Sequence, residues 1–131
     1  MTVVTLRKVL ALDALSCVAF FAGCVLFTGT AAELVGLPQV VVAVGGWICL
    51  AAGLLFAALA LSSRPSPLLT GVGVLGNAMW VAASLMVVAV FAQQMTTAGI
   101  ALVVGQAMAV GMLIWLEAMG LRSTTQAPAA A

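Results

Sequence analysis

Four carboxyl or amide side chains lie within the long apolar runs of this chain, and they are the residues that could do chemistry. They are two acids and two amides: Asp13, Asn77, Gln106 and Glu117. A carboxyl group inside a membrane can bind a proton or a cation, and an amide beside it can donate hydrogen bonds. Each such group costs several kcal/mol in hydrocarbon unless it has a partner. The partners of these side chains therefore decide what the chain can do.

The rise of an α-helix places these side chains on two levels. At about 1.5 Å per residue, Asp13 lies about 8–10 Å and Glu117 about 6–8 Å from the end of the bundle predicted to face the cytoplasm. Asn77 lies about 13–15 Å in from the same side, and Gln106 about 13–15 Å in from the other. We therefore expect Asn77 to pair with Gln106 near the midplane, and Asp13 to lie level with Glu117.

Helical spacing also puts these residues on shared faces. Gln106 and Glu117 belong to one stripe of the fourth apolar segment, and Asn77 and Trp80 belong to one stripe of the third. We expect these faces to meet in a polar track that opens to the cytoplasm and ends at Asn77. The candidate intramembrane site consists of Asp13, Asn77, Trp80, Gln106 and Glu117.

Two interpretations of this site are open. In the first, the amides hold helices together, while the two acids sit near the headgroups and pair with basic side chains. The basic residues within reach are Arg7, Lys8 and Arg122. In the second, Asp13 and Glu117 form a site for a proton or a cation, because two ionised carboxyl groups at one level repel each other.

The elements that position these side chains are predicted to be membrane-spanning helices. The chain has 131 residues, of which 66% are hydrophobic and 5% charged, and its mean hydropathy is +1.35. Soluble domains are about 45–50% apolar and about 25% charged, so this composition indicates an integral membrane protein. Four apolar runs reach the length of about 20 residues that a span needs. They cover residues 6–27, 40–61, 67–92 and 97–121.

The predicted fold is an all-α up-down bundle of four transmembrane helices over residues 1–122, with a disordered tail over 123–131. The segment 28–38 is predicted to be a loop, since it contains Glu33, Gly36 and Pro38. All Lys and Arg residues fall at one end, so the positive-inside rule predicts that both termini lie in the cytoplasm. Small residues should let two helices dock closely. They are Gly46, Cys49, Gly53, Ala57 and Ala60 in the second helix, and Ala101, Gly105 and Ala109 in the fourth.

Composition argues against several classes of function. The absence of His removes the usual haem ligand and the commonest zinc and copper ligand, and a net charge of +1 gives no sign of nucleic-acid binding. The three cysteines form no CxxC pair and are interpreted as small apolar residues. Residues 71–76 match GxGxxG, but within a spanning helix this spacing indicates close packing. We expect no enzymatic activity, no cofactor and no metal.

Several stretches resemble a group of small, uncharacterised bacterial four-span membrane proteins. They are Leu12–Leu15, Glu33–Pro38, Gly76–Trp80 and Glu117–Arg122. In size and topology the chain is also similar, more distantly, to DoxX-like proteins. The resemblance implies a multi-pass protein of the bacterial cytoplasmic (inner) membrane, and it carries no activity with it.

Two functions are consistent with these patterns. The first is a non-enzymatic accessory or scaffold component that contacts membrane lipid and uses its small-residue helix faces to bind a second copy or a partner membrane protein. The second is a minimal proton- or cation-coupled small-molecule transporter that uses Asp13 and Glu117 and works as an oligomer. Small multidrug-resistance exporters share the four helices and an acid in the first helix, but they rely on Tyr, which this chain lacks.

Overall fold

The computed structural model describes residues 1–126, and these residues are almost entirely helical. A π-helical turn, Ala22–Leu26, continues the first helix, and no strand occurs in the described part of the chain. Four helices are long and apolar enough to cross a membrane, which confirms the all-α four-span bundle of a multi-pass membrane protein. The helices are α1 (Val3–Phe21), α2 (Thr28–Val35), α3 (Gln39–Leu61), α4 (Pro67–Phe91) and α5 (Thr97–Thr125).

Three helices begin at side chains that cap their free amides. Thr2 accepts from the amide of Thr5, Ser66 from that of Leu69 and Thr96 from that of Gly99. These caps satisfy backbone donors that have no partner within the helix. The starts of α4 and α5 therefore fall where the sequence predicts them.

Two boundaries differ from the prediction. The segment 28–38 is not a loop throughout, because Thr28–Val35 forms α2 and ends at Gly36, whose φ of 75° lies in the left-handed region. Helix α5 continues to Thr125, so the first residues of the predicted 123–131 tail are helical. Residues 127–131 of that predicted tail lie outside the described residues.

Helix α1 packs most extensively against α3, and the small residues of α3 form this interface. A Cβ on Gly46 would meet the side chains of Cys24 and Val25, and one on Gly53 would meet Cys17. This confirms the predicted small-residue face of the second spanning helix. The small-residue stripe of α5 makes no close contact within this bundle: a Cβ on Gly105 would meet no neighbouring atom within 4 Å, because this face points outward.

The bundle consists of two helix pairs, α1 with α3 and α4 with α5, which contact each other less extensively than their members do. The apolar core between the pairs lies toward the end that carries Arg7, Lys8, Arg64 and Arg122, which we call the basic end. The core cluster comprises Leu6, Leu10, Ala14, Phe56 and Leu59. Phe56 packs so closely on α4 that a Cβ on Gly73 would collide with its ring.

The opposite end is closed by α2, and we call it the capped end. The Thr96 amide donates to the Val35 carbonyl at 3.1 Å, and the Thr96 hydroxyl donates to the Leu34 carbonyl at 2.6 Å. The backbone of Gly36 lies against that of residues 94–96, where any side chain would clash. Main-chain contacts therefore join α2 to the turn between α4 and α5.

Candidate functional site

Asp13, Asn77 and Glu117 meet inside the bundle, one from each of α1, α4 and α5. The Asn77 Nδ2 donates to Asp13 Oδ2 at 2.6 Å and to Glu117 Oε2 at 3.4 Å. An amide nitrogen carries two protons, so one side chain can serve both acids. The exposed fractions are 1% for Asp13, 6% for Asn77 and 0% for Glu117. We call these three residues the acid cluster.

The two acids differ in how well their oxygens are satisfied. The second oxygen of Asp13 accepts from Cys17 Sγ at 3.7 Å. The Oε1 of Glu117 is buried and receives no hydrogen bond from residues 1–126. A buried polar atom without a partner costs about 1–3 kcal/mol, and more if it carries charge. Glu117 is therefore the residue at which the acid cluster is least satisfied.

The first interpretation of the sequence expected the acids to pair with basic side chains. Within the described residues they do not. Within residues 1–126, no Lys or Arg nitrogen lies within 4.0 Å of a carboxylate oxygen. Arg7 Nε instead donates to the Ala60 carbonyl at 2.8 Å, toward α3. Six residues separate Arg7 from Asp13, which places the two side chains about 120° apart around the helix. Proximity in sequence therefore did not bring the charges together.

Gln106 does not pair with Asn77, and that predicted hydrogen bond is wrong. Gln106 Oε1 accepts from the indole Nε1 of Trp80 at 2.8 Å, and Gln106 Nε2 donates to Ser84 Oγ at 2.8 Å and to the Val103 carbonyl at 3.0 Å. Ser84 in turn donates to the Trp80 carbonyl at 2.8 Å. We call Trp80, Ser84 and Gln106 the amide cluster; both side-chain polar atoms of Gln106 have partners in it.

The five predicted site residues are therefore divided between two clusters. The ring of Phe20 packs edge-on against Trp80, with ring centroids 5.6 Å apart. Trp80 is thus committed to the amide cluster and an aromatic contact rather than to the acids. The sequence pattern grouped all five residues, whereas the structure brings Asp13, Asn77 and Glu117 together and places Trp80 and Gln106 in a separate cluster.

Two participating residues were missed, although their spacing carried a signal. Cys17 follows Asp13 by four residues and Ser84 follows Trp80 by four, so each lies on the same helix face as its partner. Cys17 was interpreted as a small apolar residue, and Ser84 was given no role. A hydroxyl or thiol one turn from a buried polar group is the pattern that could have identified them.

The acid cluster is closed toward the basic end, so the predicted open track is wrong for this structure. Leu10 precedes Asp13 by three residues and Leu6 precedes it by seven, and both are fully buried on the same face. Two surface cavities lie elsewhere, one beside Arg7 at the basic end and one beside Glu33 at the capped end. Neither is lined by a member of the acid cluster.

The described residues contain no group of three or more His, Cys, Asp and Glu side chains placed to hold a metal ion. The acid cluster can bind protons, because a carboxyl group accepts a proton without any change in its position.

Comparisons with protein-family models, with curated proteins and with solved structures gave no match to this chain. The resemblance to small bacterial four-span proteins therefore stays a prediction.

Proposed function

We propose that this membrane protein is a minimal, non-enzymatic proton-coupled carrier, with Asp13, Asn77 and Glu117 as its proton site. The observation that carries the proposal is a pair of fully buried carboxyl groups joined by one amide and lacking a basic partner within residues 1–126. An ionisable side chain inside a membrane marks a functional site by default, because it is too costly to retain otherwise.

The protonation state follows from burial and charge. Two neighbouring carboxylates with no cation between them would place two uncompensated charges in a low-dielectric interior, which costs far more than protein stability can offset. At least one of the two carboxyl groups therefore carries a proton in the closed bundle. The proton neutralises one charge, and the Asn77 amide donates to both acids whichever of them carries it.

The location of the acid cluster couples this proton to helix packing. Asp13 belongs to the α1–α3 pair, whereas Asn77 and Glu117 belong to the α4–α5 pair. Loss of the proton leaves like charges on both sides of the less extensive contact between the pairs. Repulsion then favours separation of the pairs, and separation admits water to the acids, which is the coupling a proton-driven carrier requires.

A second candidate function is the accessory or scaffold role, and one observation favours it. The amide cluster is a closed set of hydrogen bonds between α4 and α5. Each buried side-chain polar atom of this cluster has a partner among residues 1–126. Polar side chains of this kind fasten helices together in membranes. If the acid cluster were equally static, the bundle would be a rigid module.

The decisive experiment uses the fact that the chain has only three acidic side chains, Asp13, Glu33 and Glu117, and no His. Infrared difference spectra across a pH titration would report the carboxylic C=O band of purified protein. We expect a titrating band that is lost in the double variant Asp13→Asn/Glu117→Gln, is altered in each single variant and persists in Glu33→Gln. Circular dichroism would establish that each variant is folded.

Transport is tested in proteoliposomes that contain a trapped pH-sensitive dye. Because a coupled carrier moves protons only together with its substrate, a panel of small molecules is added to the external buffer as candidate substrates. We expect wild-type protein then to dissipate an imposed pH gradient faster than empty liposomes, and the Asp13→Asn and Glu117→Gln variants to lose this activity. A titrating band without proton flux would overturn the carrier and leave a proton-binding scaffold. The absence of any titrating band would overturn the proton site itself.

A further inference from the structure

A cavity at the basic end joins two cationic side chains to an apolar surface. It has a volume of about 220 Å³, lies between α1 and α3, and contains no acidic side chain in its lining. Its lining residues are Val4, Arg7, Lys8, Ala11 and Ala60. Two adjacent cations without an anion repel each other, so the cavity favours an anionic occupant.

The two cations are free to bind such an occupant. Arg7 is oriented by the hydrogen bond from its Nε to the Ala60 carbonyl at 2.8 Å, which leaves its terminal guanidinium nitrogens without a partner in the described residues. Lys8 is exposed, and its ammonium group makes no hydrogen bond or ion pair within residues 1–126. A guanidinium fork beside an ammonium group suits a phosphate group.

The position of the cavity determines the kind of phosphate. Arg7 and Lys8 lie in the first two turns of a spanning helix, at the depth of the lipid headgroups. Val4, Ala11 and Ala60 make the rest of the wall apolar, and they adjoin a surface of exposed Leu and Val side chains on α1. An occupant with an anionic head and an apolar tail matches both parts.

We propose that this cavity binds the phosphate headgroup of an anionic phospholipid, with Arg7 and Lys8 as ligands. Basic pockets at the edges of transmembrane bundles bind lipid headgroups by this combination of charge and apolar contact. The site uses no member of the acid cluster, so it stands independently of the carrier function.

The test is native mass spectrometry of detergent-solubilised protein with dioleoylphosphatidylglycerol and, separately, dioleoylphosphatidylcholine. We expect bound adducts of the anionic lipid to form preferentially, and Lys8→Gln to weaken them about fivefold. Arg7→Lys keeps the charge but removes the fork, so it should weaken binding by less than Arg7→Gln. Arg122→Gln is the matched control, because Arg122 lies at the same end but does not line the cavity.

Three results would overturn the proposal. Equal binding of the two lipids would remove the role of charge. Equal weakening by Lys8→Gln and Arg122→Gln would indicate attraction to the whole basic end rather than to a site. Displacement of the lipid by inorganic phosphate at comparable concentration would identify free phosphate as the occupant. Retention of lipid preference in Asp13→Asn and Glu117→Gln is expected and would separate this site from the carrier function.

Discussion

The acid cluster and the amide cluster lie within one turn of each other on α4, yet they solve the problem of buried polarity differently. In the amide cluster, both side-chain polar atoms of Gln106 have partners, and the indole of Trp80 has one. In the acid cluster, one amide serves two carboxyl groups and one oxygen of Glu117 has no partner in the described chain. The first arrangement is complete and neutral, while the second needs a proton.

The difference shows how to separate structural from functional polarity in a membrane bundle. A hydrogen-bonded amide has one protonation state, so its contribution to stability does not change with pH. A carboxyl group without a cation has two states that differ greatly in cost. Each variant below therefore predicts a size of effect and its dependence on pH.

Asn77→Leu should have the largest effect. It removes the side-chain amide that donates to both acids while keeping the volume similar, so we expect a loss of about 3–5 kcal/mol in unfolding free energy at alkaline pH. The loss should shrink as the pH falls, because protonated carboxyl groups need less stabilisation. Detergent-based chemical unfolding at several pH values measures this. A loss that is constant with pH would contradict a proton on the acids.

Gln106→Leu should have the next largest effect. It leaves the Trp80 N–H without its acceptor and removes the amide that donates to the Ser84 hydroxyl oxygen, at a cost of about 1–2 kcal/mol. Because no group in the amide cluster changes protonation near neutral pH, the loss should be the same at every pH tested. The same unfolding series measures it, and a pH-dependent loss here would show that the two clusters are not separate.

Glu117→Gln should stabilise the protein by about 1 kcal/mol at neutral pH, since it replaces a buried carboxyl group, one of whose oxygens has no partner in residues 1–126, with a neutral amide. The gain in unfolding free energy should be larger at alkaline pH, because a high pH favours ionisation of the buried wild-type carboxyl group and so destabilises the folded wild type. Thermal unfolding followed by circular dichroism measures it, with Glu33→Gln as the control that leaves stability unchanged. Destabilisation by Glu117→Gln would mean that the Glu117 carboxyl group stabilises the bundle.

Ser84→Ala should have the smallest effect. It removes one hydroxyl from the amide cluster, and interhelical hydrogen bonds in membranes contribute about 0.6 kcal/mol on average. Gln106 keeps its bonds to Trp80 and to the Val103 carbonyl, so the cluster stays largely satisfied. Chemical unfolding of Ser84→Ala and Gln106→Leu under the same conditions would show how much of the unfolding free energy of the amide cluster comes from the Ser84 hydroxyl. A loss as large as that of Gln106→Leu would make Ser84 the centre of the cluster.

The spans and the level of the acids were predictable because they depend on one dimension. Run length sets a helix, and helical rise sets depth, so Asp13 and Glu117 were correctly expected near one another. Asn77 was estimated about one turn deeper, but side-chain length and helix tilt cover that distance. The depth of Gln106 was estimated from the opposite end of the bundle. An error in the assumed membrane thickness therefore shifts the estimated depth of Gln106 relative to that of Asn77.

Other features depend on information that spacing does not contain. Which face of α5 points outward is decided by the packing of four helices together, so Gly105 resembles an interface residue in sequence and is exposed in the structure. Helix α2 was missed because Glu33, Gly36 and Pro38 were interpreted as helix breakers. It is instead stabilised by contacts with the distant turn at Thr96. Tertiary contacts override local preference at such positions.

The capped end holds α2 in a fixed position against the turn between α4 and α5. There the main chain of α2 is bonded to the turn between α4 and α5, and Gly36 leaves no room for adjustment. At the basic end, by contrast, α1 meets α5 through the Met1 amino group on Ser123 and through Leu6 against Gly120. Main-chain hydrogen bonds thus fix the capped end, whereas side-chain packing joins the two helix pairs at the basic end. A tilt of one pair that keeps the capped end intact would therefore displace the residues around Arg7 and Arg122 the most.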